Sequence, residues 1–343
     1  MKGHMQNQSD HSTCVLGHSE ALSLNPLLAE FGRLEHSVRL VSAPRKDIEK
    51  SLLDHSIDIG LCSSTSLLHQ QLFELALPLG ESVRGPSGIS YLVIHSDNGD
   101  LIEVISERVA RLQNLFSLAS GQSIKSWAEA VWSGSARVSN GNCKLAPFLK
   151  LQSLGSSWSQ LARLLYRLLF GQDAFALNEM RQKQYSMAAD DADGPYLELK
   201  CGNIAICQRR KYQHSIDLSG LWSSVTNLPF VSTIALKHKK TPCSVIPKHS
   251  LFTAADLAQA KMRVDPSSYL PELSIEASGG QLLDLSHLWR KVHYRLGGEE
   301  VKSLRLLMHL LRPLERQGLS DERFHLEMVR WQQRDSDGSL YLS

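Results

Sequence analysis

The sequence predicts an α/β protein built as two lobes, and three observations carry that prediction. Residues 13–66 alternate short apolar runs with helical periods, the pattern of β-α-β units and of a largely parallel sheet. A chain of 343 residues exceeds what one ordinary hydrophobic core organises. Two apolar, β-branched runs, at 89–95 and 230–236, bracket the middle of the chain and set it apart from both ends. The expected partition places 13–95 and 230–343 in the first lobe and 96–229 in the second.

The elements follow in order. Residues 1–12 are polar and read as disordered. Residues 13–16 form a first strand, and Leu24-Asn25-Pro26-Leu27 opens a helix in which proline is tolerated in the first turn. A second strand covers 38–41. A helix then starts at Ala43-Pro44 and aligns Ile48, Leu52 and Leu53 on one face, and a third strand covers 57–62. After the crossing strand at 88–95, Asp97-Asn98-Gly99-Asp100 breaks the chain and 101–116 is an amphipathic helix. Residues 117–150 are weakly patterned, with Trp127 and Trp132 on a short helix and a turn at 139–142. Residues 155–160 cap an apolar helix over 161–170. The polar segment 172–194 reads as a mobile insertion, and 196–207 holds a strand and a Gly202-Asn203 turn.

The joint on which the chain turns is 215–231. Ile216, Asp217 and Leu218 close an extended segment, and Ser219 caps two helical turns. Leu221, Trp222 and Val225 share one face of that helix. Asn227 offers a left-handed stop and Pro229 blocks continuation, so the chain passes straight into the strand at 230. Helices are expected at 254–262, 282–293, 298–312 and 319–332.

Composition excludes several classes. Hydrophobic content of 42% with 21% charge is that of a soluble globular chain. A net charge of +2 gives no electrostatic case for nucleic acid, and the basic clusters at 208–211 and 237–240 read as solvated faces. The six cysteines contain no C-x-x-C pair, which points to a reducing cytoplasm. The polar N-terminus lacks the apolar core of a signal peptide, and 161–170 is too short and too charged to span a bilayer. His238, Cys243 and His249 do not have the spacing of a known metal site, so no metal and no cofactor are expected.

No dinucleotide, P-loop, nucleophile-elbow or zincin motif occurs. What the chain offers instead is small polar residues at helix openings: Ser63-Ser64-Thr65-Ser66, the Ser157 to Gln160 run, and the loop before Asn25. They serve either as caps or as the wall of a cleft for a small carboxylate, because helix N-termini present free N–H groups.

Five segments in order resemble the chorismate dehydratase family of menaquinone biosynthesis by the futalosine route. They are Leu24-Asn25-Pro26-Leu27; Ala43-Pro44 with Ile57-Asp58-Ile59-Gly60-Leu61; Gly85-Pro86 with Ile89-Ser90-Tyr91-Leu92; the 217–231 joint with its Asp217, Leu218, Trp222, Thr226, Leu228, Pro229, Phe230 and Val231; and the stretch from Val292 through Tyr294, Leu296 and Gly297 to Glu300. Against the family pattern, two residues between Asn25 and Pro26 are missing and Ser63 stands for a proline. The segments at 117–150 and 172–194 are longer.

The resemblance implies a type II periplasmic-binding-protein-like fold, with mixed sheets, two crossing strands and the ligand closed in the cleft. It implies a carbon-oxygen lyase converting chorismate to 3-[(1-carboxyvinyl)oxy]benzoate, with a chorismate-like dicarboxylate as its small-molecule partner. Neither nucleic acid nor membrane is an expected partner, and the expected assembly is a monomer or homodimer. It carries catalytic roles to Asn25 and Ser90. Substrate contacts fall to Ser63, Ser64, Thr65, Ser157, Ser159, Gln160, Gly202 and Asn203. Two alternatives stand beside it: a non-catalytic binding relative, and a sister pathway enzyme acting on a naphthoate precursor.

Overall fold

The computed structural model describes residues 13–34, 37–69, 71–95, 99–139, 147–151, 156–171, 195–208, 211–269 and 285–314. Four strands open the chain: β1 (Cys14–His18), β2 (Val38–Ser42), β3 (Ile59–Ser63) and β4 (Phe73–Val83). Between them lie α1 (Asn25–Gly32), α2 (Arg45–Leu53) and the one-turn α3 (Ser66–His69). The middle of the chain supplies β5 (Ser90–His95), α4 (Gly99–Ala119), α5 (Ile124–Ser139), β6 (Phe148–Lys150) and α6 (Ser157–Phe170). It continues through β7 (Tyr196–Cys201), α7 (Asn203–Gln208), β8 (Ser215–Asp217) and α8 (Leu218–Thr226). The return consists of β9 (Phe230–His238), α9 (Lys248–Val264), α10 (Ser286–Trp289), β10 (Val292–Arg295) and α11 (Gly298–Leu311).

These strands make two sheets, ordered β10-β4-β9-β3-β1-β2 and β6-β7-β5-β8. In the first, β1 is parallel to β2 and β3, as the alternating pattern requires. β9 then enters between β3 and β4 and runs antiparallel to both, and β10 is antiparallel to β4. The largely parallel sheet expected from the alternation holds for β1, β2 and β3 only, and the mixed sheet that the resemblance implies is the one found. A strand coming back from the other lobe approaches from the opposite direction, so the sheet is mixed. In the second sheet only β6–β7 is parallel.

Packing follows the apolar pattern. β3 and β9 are buried along their whole lengths, as central strands covered on both faces must be. α2 lays Ile48 and Leu52 against the sheet where Gly60 has no side chain; a Cβ there would lie 2.8 Å from Ile48 and 2.9 Å from Leu52. Trp222 of α8 is fully buried and donates its indole N–H to Ser303 Oγ of α11 (2.9 Å).

The joint at 215–231 ties the two passages between the sheets to each other. Asp217 Oδ2 accepts from the N–H groups of Ser87 (3.0 Å) and Gly88 (2.7 Å), in the segment that leads from β4 to β5. Its Oδ1 accepts from Gly220 N (2.8 Å), so Asp217, not Ser219, caps α8. Ser219 donates instead to Gly85 O (2.9 Å), inside the same cluster. Asn227 does close the helix in the left-handed region, at φ 56°.

Other expectations change. The 127–132 region belongs to α5, longer than the short helix expected. Asn203 opens α7, leaving Gly202, at φ 63°, as the turn residue. Among the described residues of the expected 282–293 helix, Ser286–Trp289 are helical, and Val292 and His293 are in β10. β4 was not anticipated. Pro78 and Gly80 interrupt its sequence, yet register shifts around Leu77 and Gly80 absorb both. The N-terminal 1–12, the turn residues 140–142, the 172–194 insertion and the 319–332 helix lie outside the described residues. No helix among the described residues is long and apolar enough to cross a membrane.

Candidate functional site

A cavity of about 470 Å³ opens between the two lobes. That is within the usual size of a small-molecule site. The side of the six-stranded sheet contributes Ser23, Arg45, Lys46, Glu49, Glu81 and Thr233 to its wall, and the side of the four-stranded sheet contributes Ile89, Ser156, Trp158, Cys201, Gly202 and Asn203.

Charge is placed there against local preference. Arg45 and Lys46 are the first two residues of α2, whose N-cap Pro44 supplies no side-chain acceptor. Cations at a helix N-terminus oppose the macrodipole by roughly 0.3–1 kcal/mol each. A bound anion would reverse that cost. This misplaced pair directly follows Ala43-Pro44 in the sequence, where apolar periodicity does not mark it. Glu49, one turn further, accepts from Ser66 Oγ (2.5 Å).

Glu81 of β4 is only 3% exposed. Ser23 Oγ donates to its Oε2 and Ser232 Oγ to its Oε1, each at 2.5 Å. Burial pushes this carboxyl above the ordinary carboxylate range, ahead of the downward pull of the two serines and of Arg45. In the sequence it is a carboxylate set within the apolar run of β4. Cys201, also on the wall, has its thiol pushed up by burial.

Of the residues expected to hold ligand, Gly202 and Asn203 line the cavity. The Gly202 N–H donates to Ile89 O (2.8 Å), and Asn203 Oδ1 accepts from Leu22 N (3.0 Å), which bridges the lobes. Ser63, Ser64, Thr65 and Ser157 come together behind the wall as a hydroxyl cluster. Ser157 Oγ donates to Ser232 O (2.5 Å), accepts from Ser64 N and Ser64 Oγ (3.0 Å each), and is hydrogen-bonded to Ser63 Oγ (2.6 Å). Ser63 also reaches Thr65 Oγ1 (2.8 Å). Ser159 is buried and bonds Ser156, the N-cap of α6 (Oγ to Oγ 2.8 Å). Gln160 is buried beside them.

The two residues expected to be catalytic are apart from this wall. Asn25 is half-buried at the first position of α1, and Ser23 rather than Asn25 reaches the cavity. Ser90 is fully buried and its Oγ has no hydrogen-bond partner among the described residues. It sits between the cavity-lining Ile89 and, across the ladder, Cys201.

Two mixed α/β lobes closing on a ligand-sized cavity define a periplasmic-binding-protein-like fold. No protein-family model matches the chain, and no curated protein matches it. Among solved structures, protein AF1704 from Archaeoglobus fulgidus is similar with a TM-score of 0.53 at 10% identity, covering 89% of this chain and 98% of that one. The Candida albicans CA3427 gene product, described as having the generic periplasmic binding protein structural fold, gives a TM-score of 0.45 at 10% identity, over 92% of this chain and 94% of its own. At 10% identity the likeness to AF1704 concerns the fold alone.

Proposed function

We propose that the interlobe cleft binds a small carboxylate of the chorismate type and that the chain is a lyase dehydrating it to 3-[(1-carboxyvinyl)oxy]benzoate. The observation that carries the reading is the pair Arg45 and Lys46, set at an uncapped helix N-terminus in the wall of the cavity. Such a pair grips carboxylate by charge-assisted hydrogen bonds. Dehydration breaks one ring C–O and one ring C–H bond and releases water as the ring becomes aromatic. The chemistry needs positioned donors for the departing hydroxyl more than a strong base. The unpartnered Ser90 hydroxyl supports its role as such a donor. Asn25 would act from the first turn of α1.

Incubating the purified chain with chorismate and following the aromatic product tests the lyase reading, with calorimetry as the parallel measure of binding. Arg45→Ala is expected to weaken binding by about tenfold to a hundredfold, the value of one charged hydrogen bond of roughly 1.5–3 kcal/mol. A second reading, binding without turnover, is favoured by the position of Asn25 away from the cavity wall. Chorismate bound without product formation selects it. No binding at all refutes both.

A further inference from the structure

An anionic guest meets an electrostatic obstacle in this cleft. Its wall carries two cations, Arg45 and Lys46, and three carboxyl groups, Glu20, Glu49 and Glu81. With all of them ionised the wall is net negative by one charge, which opposes an anion. If one carboxyl keeps its proton the wall is neutral.

Glu20 is exposed and accepts from the Ser42 hydroxyl (3.2 Å), and Glu49 is only half-buried and accepts from Ser66. Glu81 is different. It lies in β4 between β9 and β10, enclosed on both sides. β9 offers it only the Ser232 hydroxyl, and the segment before α1 only that of Ser23. β10 offers Tyr294, itself fully buried, whose hydroxyl donates to Ser23 O (2.6 Å). α2 offers Arg45, which acts on Glu81 through space, with Glu49 one turn on. Among the described residues no lysine or arginine forms an ion pair with Glu81. Each carboxyl oxygen has one serine donor, which leaves a second lone-pair position on each for a proton.

We propose that Glu81 is the specificity-determining acid of the cleft: it stands as a neutral carboxyl, donates a hydrogen bond to the bound anion, and turns anions away once ionised. The proposal rests on the carboxylate reading given above and adds the protonation state that reading requires. Burial without an ionic partner favours the neutral form, in the direction already noted for this group. Above the point where Glu81 ionises, anion affinity then falls by up to tenfold per pH unit, the slope of one linked proton.

The test has a ligand-free arm and a ligand arm. Infrared difference spectra of wild type against Glu81→Gln at neutral pH should show a protonated-carboxyl carbonyl band in the wild type that the variant lacks. Calorimetric titration with chorismate and with benzoate across the pH range in which the protein stays folded should show affinity falling with pH in the wild type and level in Glu81→Gln. Ser232→Ala, which removes one donor to the ionised form, should move the fall to higher pH. If the variant loses no such band, or the wild-type and Glu81→Gln profiles run parallel, the proposal is overturned. If the band is present but neither anion binds either protein at any pH, the carboxylate reading fails, and with it the anion-selecting role.

Discussion

Replacing Ser157 by alanine distinguishes a residue that holds the fold from one that holds ligand. The Ser157 hydroxyl makes four contacts, to Ser63, to Ser64 twice and to Ser232 O. A simple sum at about 1 kcal/mol each would give a loss of about 4 kcal/mol. The neighbours, however, retain partners. Ser64 N still donates to Ser232 O (3.0 Å), which satisfies both backbone groups, and Ser63 still reaches Thr65 (2.8 Å). Only the Ser64 hydroxyl is left without the partner it has now. One orphaned buried hydroxyl costs about 1–3 kcal/mol, and that is the expected destabilisation. Urea unfolding followed by tryptophan fluorescence measures it, because Trp158 is the next residue of α6. The same variant should bind chorismate within a fewfold of wild type. Unchanged stability with a tenfold or greater loss of affinity would refute the reasoning and place Ser157 against the ligand.

Three further outcomes are expected. Gly80→Ala should fail to fold stably, since its Cβ would lie 2.0 Å from the Thr233 carbonyl oxygen in the β4–β9 ladder; native-like thermal unfolding of the variant would sink this account of the bulge. Trp222→Phe keeps the ring buried but strips Ser303 of its indole donor, so a loss of about 1–3 kcal/mol is expected in denaturant titration, and none if that contact is incidental. Burial alone would raise the Glu30 carboxyl, but hydrogen bonds from Lys261 (2.9 Å), Tyr269 (2.8 Å) and Arg33 hold it below its ordinary 4.5. Its contribution is therefore present above pH 4.5 and lost as pH falls through the depressed value. Glu30→Gln should be less stable than wild type at neutral pH and converge with it in acid; a gap that persists at the lowest pH argues against the cluster.

Local rules determined much of the framework. The alternation of 13–66 is β1 to α3, the apolar crossing runs are β5 and β9, and Asn227 stops α8 where a left-handed residue was needed. These features depend on periodicity and backbone sterics within a few residues, which any window of sequence displays. What tertiary structure decided was less local. β4 carries Pro78 and Gly80 and is a strand only because β9 and β10 pair with it through shifts of register, and Gly80 has no Cβ to meet Thr233. Asp217 outcompetes Ser219 as the α8 cap because it can hold Ser87 and Gly88 at the same time. The serines at helix openings could have faced ligand or one another. Only the approach of α6 to β3 and β9 turned Ser63, Ser64 and Ser157 into a cluster behind the cleft. Glu81 has an ordinary carboxyl in the sequence, and its burial between β9 and β10, beside Ser23 and Ser232 from distant parts of the chain, gives it a different proton affinity. Desolvation and hydrogen bonding are properties of the folded neighbourhood, and no reading of adjacent residues contains them.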